Sequence, residues 1–107
     1  MTKDLHLSSG KLADLVNYQP NSIVSRSILK KDTGSMTVFA FDKGEKLSEH
    51  TAPFDATIQL VEGTAEIIIS GKSNILKKDE FIILPANQPH AVNANEKFKM
   101  VLTMIKS

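Results

Sequence analysis

Short runs of β-branched and aromatic residues dominate this chain from Ile23 onward, cut by Gly, Asn, Asp or Pro roughly every 8–12 residues. Alternating runs this short cannot make helices of useful length. They predict strands at 23–29, 36–41, 47–51, 57–61, 65–70, 74–76, 80–84, 90–93 and 98–105, with Asp42-Lys-Gly44, Glu62-Gly63 and Gly71-Lys72 among the breaks. In the fifth run Ala65, Ile67 and Ile69 share one face, opposite Thr64, Glu66, Ile68 and Ser70. That is the pattern of a sheet buried on one side. An all-β, antiparallel sandwich or barrel follows.

Upstream, Lys11-Leu-Ala-Asp-Leu-Val16 follows Ser8-Ser9 and puts Leu12, Leu15 and Val16 on one helical stripe. The run is short, and Tyr18-Gln-Pro20-Asn ends it. A one- or two-turn helix lying on something larger is expected, giving an N-terminal extension at 1–22 and one barrel domain at 23–107. A chain of 107 residues suits one core.

The last run divides its side chains. Phe98, Met100, Leu102 and Met104 form one face and suit the interior. Lys99, Val101, Thr103 and Ile105 form the other, half apolar and in need of cover by another element or by a partner chain. With Leu5 and Leu7 at the N-terminus, this favours a homodimer. Methionines here suit plain core filling better than an adaptable ligand wall.

Composition removes several functions. Thirteen basic against twelve acidic residues leave a net charge of +1, no footprint for nucleic acid. The pairs Lys30-Lys31 and Lys77-Lys78 read as solvated turn lysines. The absence of cysteine excludes disulfides, thiolate metal sites and a cysteine nucleophile. No stretch has membrane-spanning length and the first residues carry no apolar leader core, so the cytoplasm is the expected address. Neither Ser9-Gly10 nor Ser70-Gly71 sits in a nucleophile elbow, and the scattered glycines form no phosphate loop. His6 reads as a surface residue.

Two strings remain. One runs Gly44-Glu-Lys-Leu-Ser-Glu-His50-Thr-Ala-Pro-Phe-Asp-Ala56 and closes at Gly63; the other runs Asp79-Glu-Phe-Ile-Ile-Leu-Pro85-Ala-Asn-Gln-Pro-His90. Together they resemble the paired motifs of the cupin superfamily. The first such motif is Gly, five residues, His-x-His, an acidic ligand, then six residues and Gly; the second is Gly, five residues, Pro-x-Gly, two residues, His. Gly44, His50, Gly63, Pro85 and His90 match. Asn87 replaces the turn glycine, a cheap exchange because Asn tolerates the left-handed conformation, and Asp79 replaces the leading glycine. The resemblance spans 23–105. It implies a jelly-roll barrel with the motif side chains pointing inward around a divalent transition ion such as Mn, Fe, Ni, Zn or Cu.

The departures are as informative. The second histidine position falls on Ala52 and the acidic one on Ala56, which leaves His50 and His90 as metal ligands. Alternation turns Asp55 to the other face, and a distortion at Pro53 is the one device that would bring it in. Two imidazoles make a weak, unselective site, since catalytic zinc keeps three protein ligands. Plain barrel-mouth histidines, or polar handles for an organic guest, are the simpler alternative. The resulting expectation is a small-molecule-binding barrel, its pocket lined by Met36, His50, Ala52, Ala56, His90 and Met100, with no certain cofactor. The alternative is a metal-dependent enzyme, dioxygenase-like or isomerase-like, using His50 and His90; a third is a scaffold with an idle pocket.

Overall fold

The computed structural model describes residues 9–106. Eight antiparallel strands account for most of them: β1 (Ile23–Lys31), β2 (Gly34–Phe41), β3 (Lys46–His50), β4 (Asp55–Ile69), β5 (Lys72–Lys77), β6 (Phe81–Leu84), β7 (His90–Asn93) and β8 (Phe98–Ile105). Their order is β1-β2-β8-β4-β7-β3, with β5 and β6 also on β4, a curled sheet folded over on itself.

The two runs expected at 57–61 and 65–70 are one strand. β4 pairs with β8 and β6 along its first part and with β5 and β7 along its second, so this single strand belongs to both layers. Glu62-Gly63 marks a bend, with a register shift between Leu60 and Glu62 opposite β8. Gly63 has φ of 79°, and a Cβ there would sit 2.5 Å from the Lys97 carbonyl oxygen. Only glycine lets β4 pass that close to β8 at the bend.

Turn chemistry follows the residues. Ser70 (φ 50°) and Gly71 (φ 82°) both take positive φ in the two-residue link from β4 to β5, as a tight hairpin with the right twist requires. Asp79 (φ 72°) and Asn87 (φ 66°) occupy the left-handed region at the two positions where the cupin pattern has glycine.

The interior holds Phe41, Ile58, Leu60, Ile67, Val92, Phe98 and Met100, each at most 2% exposed. The Phe41 and Phe98 rings stack at 4.6 Å. As expected, Phe98, Met100, Leu102 and Met104 face this core. The other face of β8 meets two fates. Val101, together with Val38 and Ala40 of β2, is covered by Val16 and, at its edge, by Leu12, Leu15 and Tyr18. Ile105 stays 56% exposed beside Leu29 and Ile83.

The cover is the N-terminal extension. Its expected helix is a single 3₁₀ turn at Leu12–Leu15, with Lys11 rather than a serine at the N-cap and no side-chain cap. Ser8, His6, Leu5 and Leu7 lie outside the described residues. Polar contacts hold the segment down. Lys99 Nζ donates to the Ala13 carbonyl at 2.7 Å, Arg26 donates to the Leu15 carbonyl at 3.4 Å, and the Tyr18 hydroxyl donates to Glu62 at 2.5 Å. Lys99, 8% exposed, also lies 3.9 Å from Glu62 and 5.0 Å from the Tyr18 ring centroid. A buried ammonium needs such partners to offset its lost hydration.

Candidate functional site

His50 ends β3 and His90 opens β7, and the two strands pair Lys46 with Asn93, Leu47 with Val92 and His50 with His90. Three steps on β3 answer two on β7, so β3 carries an extra residue between Leu47 and His50. Strict alternation sets Leu47 and His50 on opposite faces; the bulge cancels that and turns His50 toward the side of His90 and Val92.

The two rings meet edge to face, centroids 4.3 Å apart, with Nε2 of His50 3.1 Å from Nε2 of His90. The other nitrogens settle the protonation. Nδ1 of His50 lies 2.8 Å from the Ser48 carbonyl and Nδ1 of His90 3.2 Å from the Gln88 carbonyl. A carbonyl only accepts, so each Nδ1 carries its hydrogen and each neutral ring presents a bare lone pair at Nε2. Two lone pairs then face one another. That contact repels unless a proton, a cation or a donor group lies between them.

His90 is 8% exposed while His50 is exposed, so the pair runs from the interior to the solvent. Burial holds the His90 imidazole below the ordinary histidine range; the Gln88 carbonyl partly opposes this, and a charge on His50 adds to it. Burial therefore favours the neutral form of the His90 ring.

Metal bonds of about 2.05 Å to both Nε2 atoms, spanning 3.1 Å, would enclose about 98°, between octahedral and tetrahedral values. The histidines thus fit two neighbouring positions of a transition ion, with Nδ1 contacts of the kind that orient ligating imidazoles. They fit only those two. Among the described residues no third His, Asp or Glu joins them.

The expected pocket is divided by the fold. Met36 is on the wrong face: it shares the parity of Val38 and Ala40, packs with the outer cluster, and lines a groove of about 200 Å³ with Leu29, Met104 and Ile105. Met100 is 1% exposed inside the core and Ala56 9%, at the inward start of β4. Ala52 is half-buried, two residues past His50. His50 and His90 touch, Ala52 follows in the same loop, and the other three do not join them at the surface.

Asp55 has another role. Its Oδ1 accepts the Ala86 N–H at 2.8 Å, and the Ala52 carbonyl accepts the Asn87 N–H at 2.7 Å. The start of β4 and the loop before it are laced to the turn before β7 by these bonds, which couples the two motifs. Sequence reasoning missed this lacing and also Gln88, whose Oε1 accepts the Ser70 hydroxyl at 2.5 Å. The available signal was the left-handed Asn87, since a tight turn needs its neighbouring amides satisfied.

Comparison with known proteins agrees with the architecture. The family model described as Cupin domain matches residues 37–106. A conserved Streptococcus pyogenes protein of unknown function superposes with a TM-score of 0.89 at 31% identity, covering 95% of this chain and 90% of that one. A Cupin 2 conserved barrel domain protein from Leptotrichia buccalis is 44% identical with a TM-score of 0.85 over 88% of this chain, which spans only 46% of that one. A cupin superfamily protein from Desulfitobacterium hafniense shares the fold at 24% identity and a TM-score of 0.89, covering 94% of this chain and 93% of that one. No curated protein matches the chain. Among the described residues no helix is long and apolar enough to cross a membrane. With both motifs placed on neighbouring strands of one curled sheet, the chain belongs to the cupin family.

Proposed function

We propose that this cupin binds a small molecule at the rim where His50 and His90 meet, with at most a two-bond hold on a transition ion. The observation that carries the reading is the 3.1 Å approach of two Nε2 lone pairs whose Nδ1 hydrogens are already engaged. With both rings neutral, such a pair offers two acceptors and no donor of its own. It favours a guest that brings a donor hydrogen or a cation. The proposed site is narrower than the expected lining, because Met36 packs on the outer face and Ala56 and Met100 are buried apart from the pair. The enzymatic alternative would use the same two histidines, which no third His, Asp or Glu joins to form a metal-holding group among the described residues.

A thermal-stability screen of organic acids, alcohols and amines, each with and without a divalent ion, tests the reading. At a ligand concentration 100 times Kd the stabilisation is about 2.7 kcal/mol. The stabilisation should vanish in His50→Gln, a change at an exposed side chain. A hit that stabilises the variant equally places binding elsewhere and ends the proposal.

We also infer that two copies pair through the uncovered half of the outer face. Leu29, Ile83 and Ile105 are each more than half exposed there, around grooves that share Thr103 and Ile105. Ile105→Asp should convert a dimer to a monomer in light scattering. A wild-type monomer at micromolar concentration refutes this.

A further inference from the structure

We propose that residues 11–18 form a releasable cap over the outer face of the sheet, and that the cap restrains self-association: once it opens, two copies of this chain pair over the whole face. This deepens the pairing inferred above by naming what regulates it. Side chains alone hold the cap, since among the described residues no backbone hydrogen bond joins 11–18 to a strand. Lys99 Nζ donates to the Ala13 carbonyl at 2.7 Å, Arg26 to the Leu15 carbonyl at 3.4 Å, and the Tyr18 hydroxyl to Glu62. Val16, 4% exposed, is seated against Val38, Ala40 and Val101. The one regular element inside the cap is a 3₁₀ turn with no buried residue. A segment with so few contacts lies at the low-stability end of a fold and opens without unfolding the rest. Past the cap the chain is pinned again, where the Asn21 N–H donates to Asp42 at 2.7 Å and the Ser22 hydroxyl to the Pro20 carbonyl at 3.0 Å.

Opening uncovers Val38, Ala40 and Val101, which are fully buried beneath the cap. They are continuous with the bare half of the same face, because Met36 packs with them and also lines the open groove beside Leu29 and Ile105. Two patches become one apolar surface across β2 and β8, and a surface of that kind needs a partner. Its charges name the occupant. Lys99 and Glu62 stand opposite one another in register on β8 and β4, 3.9 Å apart, and opening takes the Ala13 carbonyl from one and the Tyr18 hydroxyl from the other. A cation beside an anion on an apolar field is self-complementary about a two-fold axis, where each lysine meets the other copy's glutamate. A partner of one sign satisfies only half of the pair and leaves the other charge buried at a cost.

Two full-length variants open the cap. Val16→Asp puts a carboxylate where only apolar side chains receive it, and Tyr18→Ala removes the hydroxyl held by Glu62. Hydrogen exchange reports the cap through the Asp14 amide, which donates to the Lys11 carbonyl at 3.1 Å. That amide should exchange about tenfold faster or more in both variants, while the amides of β4 and β8 keep their wild-type rates. Sedimentation velocity over a range of concentrations reads the pairing constant. It should tighten about tenfold or more on opening, a typical coupling between two linked equilibria. Adding Glu62→Gln to Val16→Asp removes the anion and should reverse most of that gain.

A pairing constant unchanged in both variants, with the Asp14 amide released, overturns the inference and leaves the pairing of the closed form standing. Strand amides that speed up with Asp14 in both variants overturn it as well, because 11–18 is then part of the barrel and not a cap; so does an Asp14 amide that neither variant releases. A double variant that pairs as tightly as Val16→Asp removes the two-fold charge argument and, with it, the choice of occupant. A monomeric wild type whose variants pair ends the closed-form pairing alone and supports the cap. If wild type and variants are all monomers, both readings fall.

Discussion

Replacing Asp55 separates two roles that one carboxylate beside a histidine pair can play. In the structure its Oδ1 accepts the Ala86 N–H at 2.8 Å, inside a turn whose next residue, Asn87, sits at φ 66°. Asp55→Ala leaves that amide without its partner. A hydrogen bond to a charged group contributes about 1.5–3 kcal/mol net, and the exposure of Asp55 lets water replace part of it. The expected loss is about 1.5 kcal/mol. For a domain of this size that lowers Tm by roughly 6–12 °C. Asp55→Asn keeps a carbonyl oxygen at the same place and should stay within about 0.5 kcal/mol of wild type. Urea denaturation followed by far-ultraviolet circular dichroism measures both. A second readout is the pair of imidazole signals in proton–nitrogen correlation spectra. They should shift in Asp55→Ala, where the laced turn relaxes, and hold in Asp55→Asn. If Asn is as damaging as Ala, the charge itself is needed and the lacing account is wrong.

Other outcomes follow from the same geometry. Gly63→Ala forces a Cβ to within 2.5 Å of the Lys97 carbonyl at a positive φ, and should cost about 3 kcal/mol by urea titration; a loss under about 1 kcal/mol would mean that β4 and β8 separate freely at the bend. Asp79→Gly relieves an L-residue held at φ 72° and should stabilise by about 0.5–1 kcal/mol, after the extra chain entropy of glycine is subtracted. His90 sets a pH dependence. Its folded form resists the proton that the unfolded chain takes up near the ordinary value of 6.5, so its contribution is intact above 6.5 and is lost as pH falls toward its own lowered value. Thermal melts from pH 8 down to 5 should show Tm falling across that window, and less steeply in His90→Gln. A Tm that rises on acidification contradicts the buried neutral imidazole.

The residues by themselves determined the strand positions, because period-two alternation and left-handed turn residues are local properties. Asn87 takes the conformation its side chain permits, and Phe98, Met100, Leu102 and Met104 face one interior because every second residue of a strand must. They also determined that His50 and His90 belong together, through two motifs whose spacing is legible before any coordinates. Alternation does not say which face is inside. Met36 shows the consequence: expected in the pocket, it is found with Val38 and Ala40 on the outer side. Nor does it register an extra residue: the bulge in β3 that turns His50 inward, and the unbroken passage of β4 through Glu62-Gly63, exist only because partner strands impose them. The cover over Val101 is likewise a long-range matter, decided by where a short N-terminal turn finds apolar surface and a buried lysine to hold its carbonyl. Local chemistry writes the strands; the pairing of distant ones decides which of their side chains can meet.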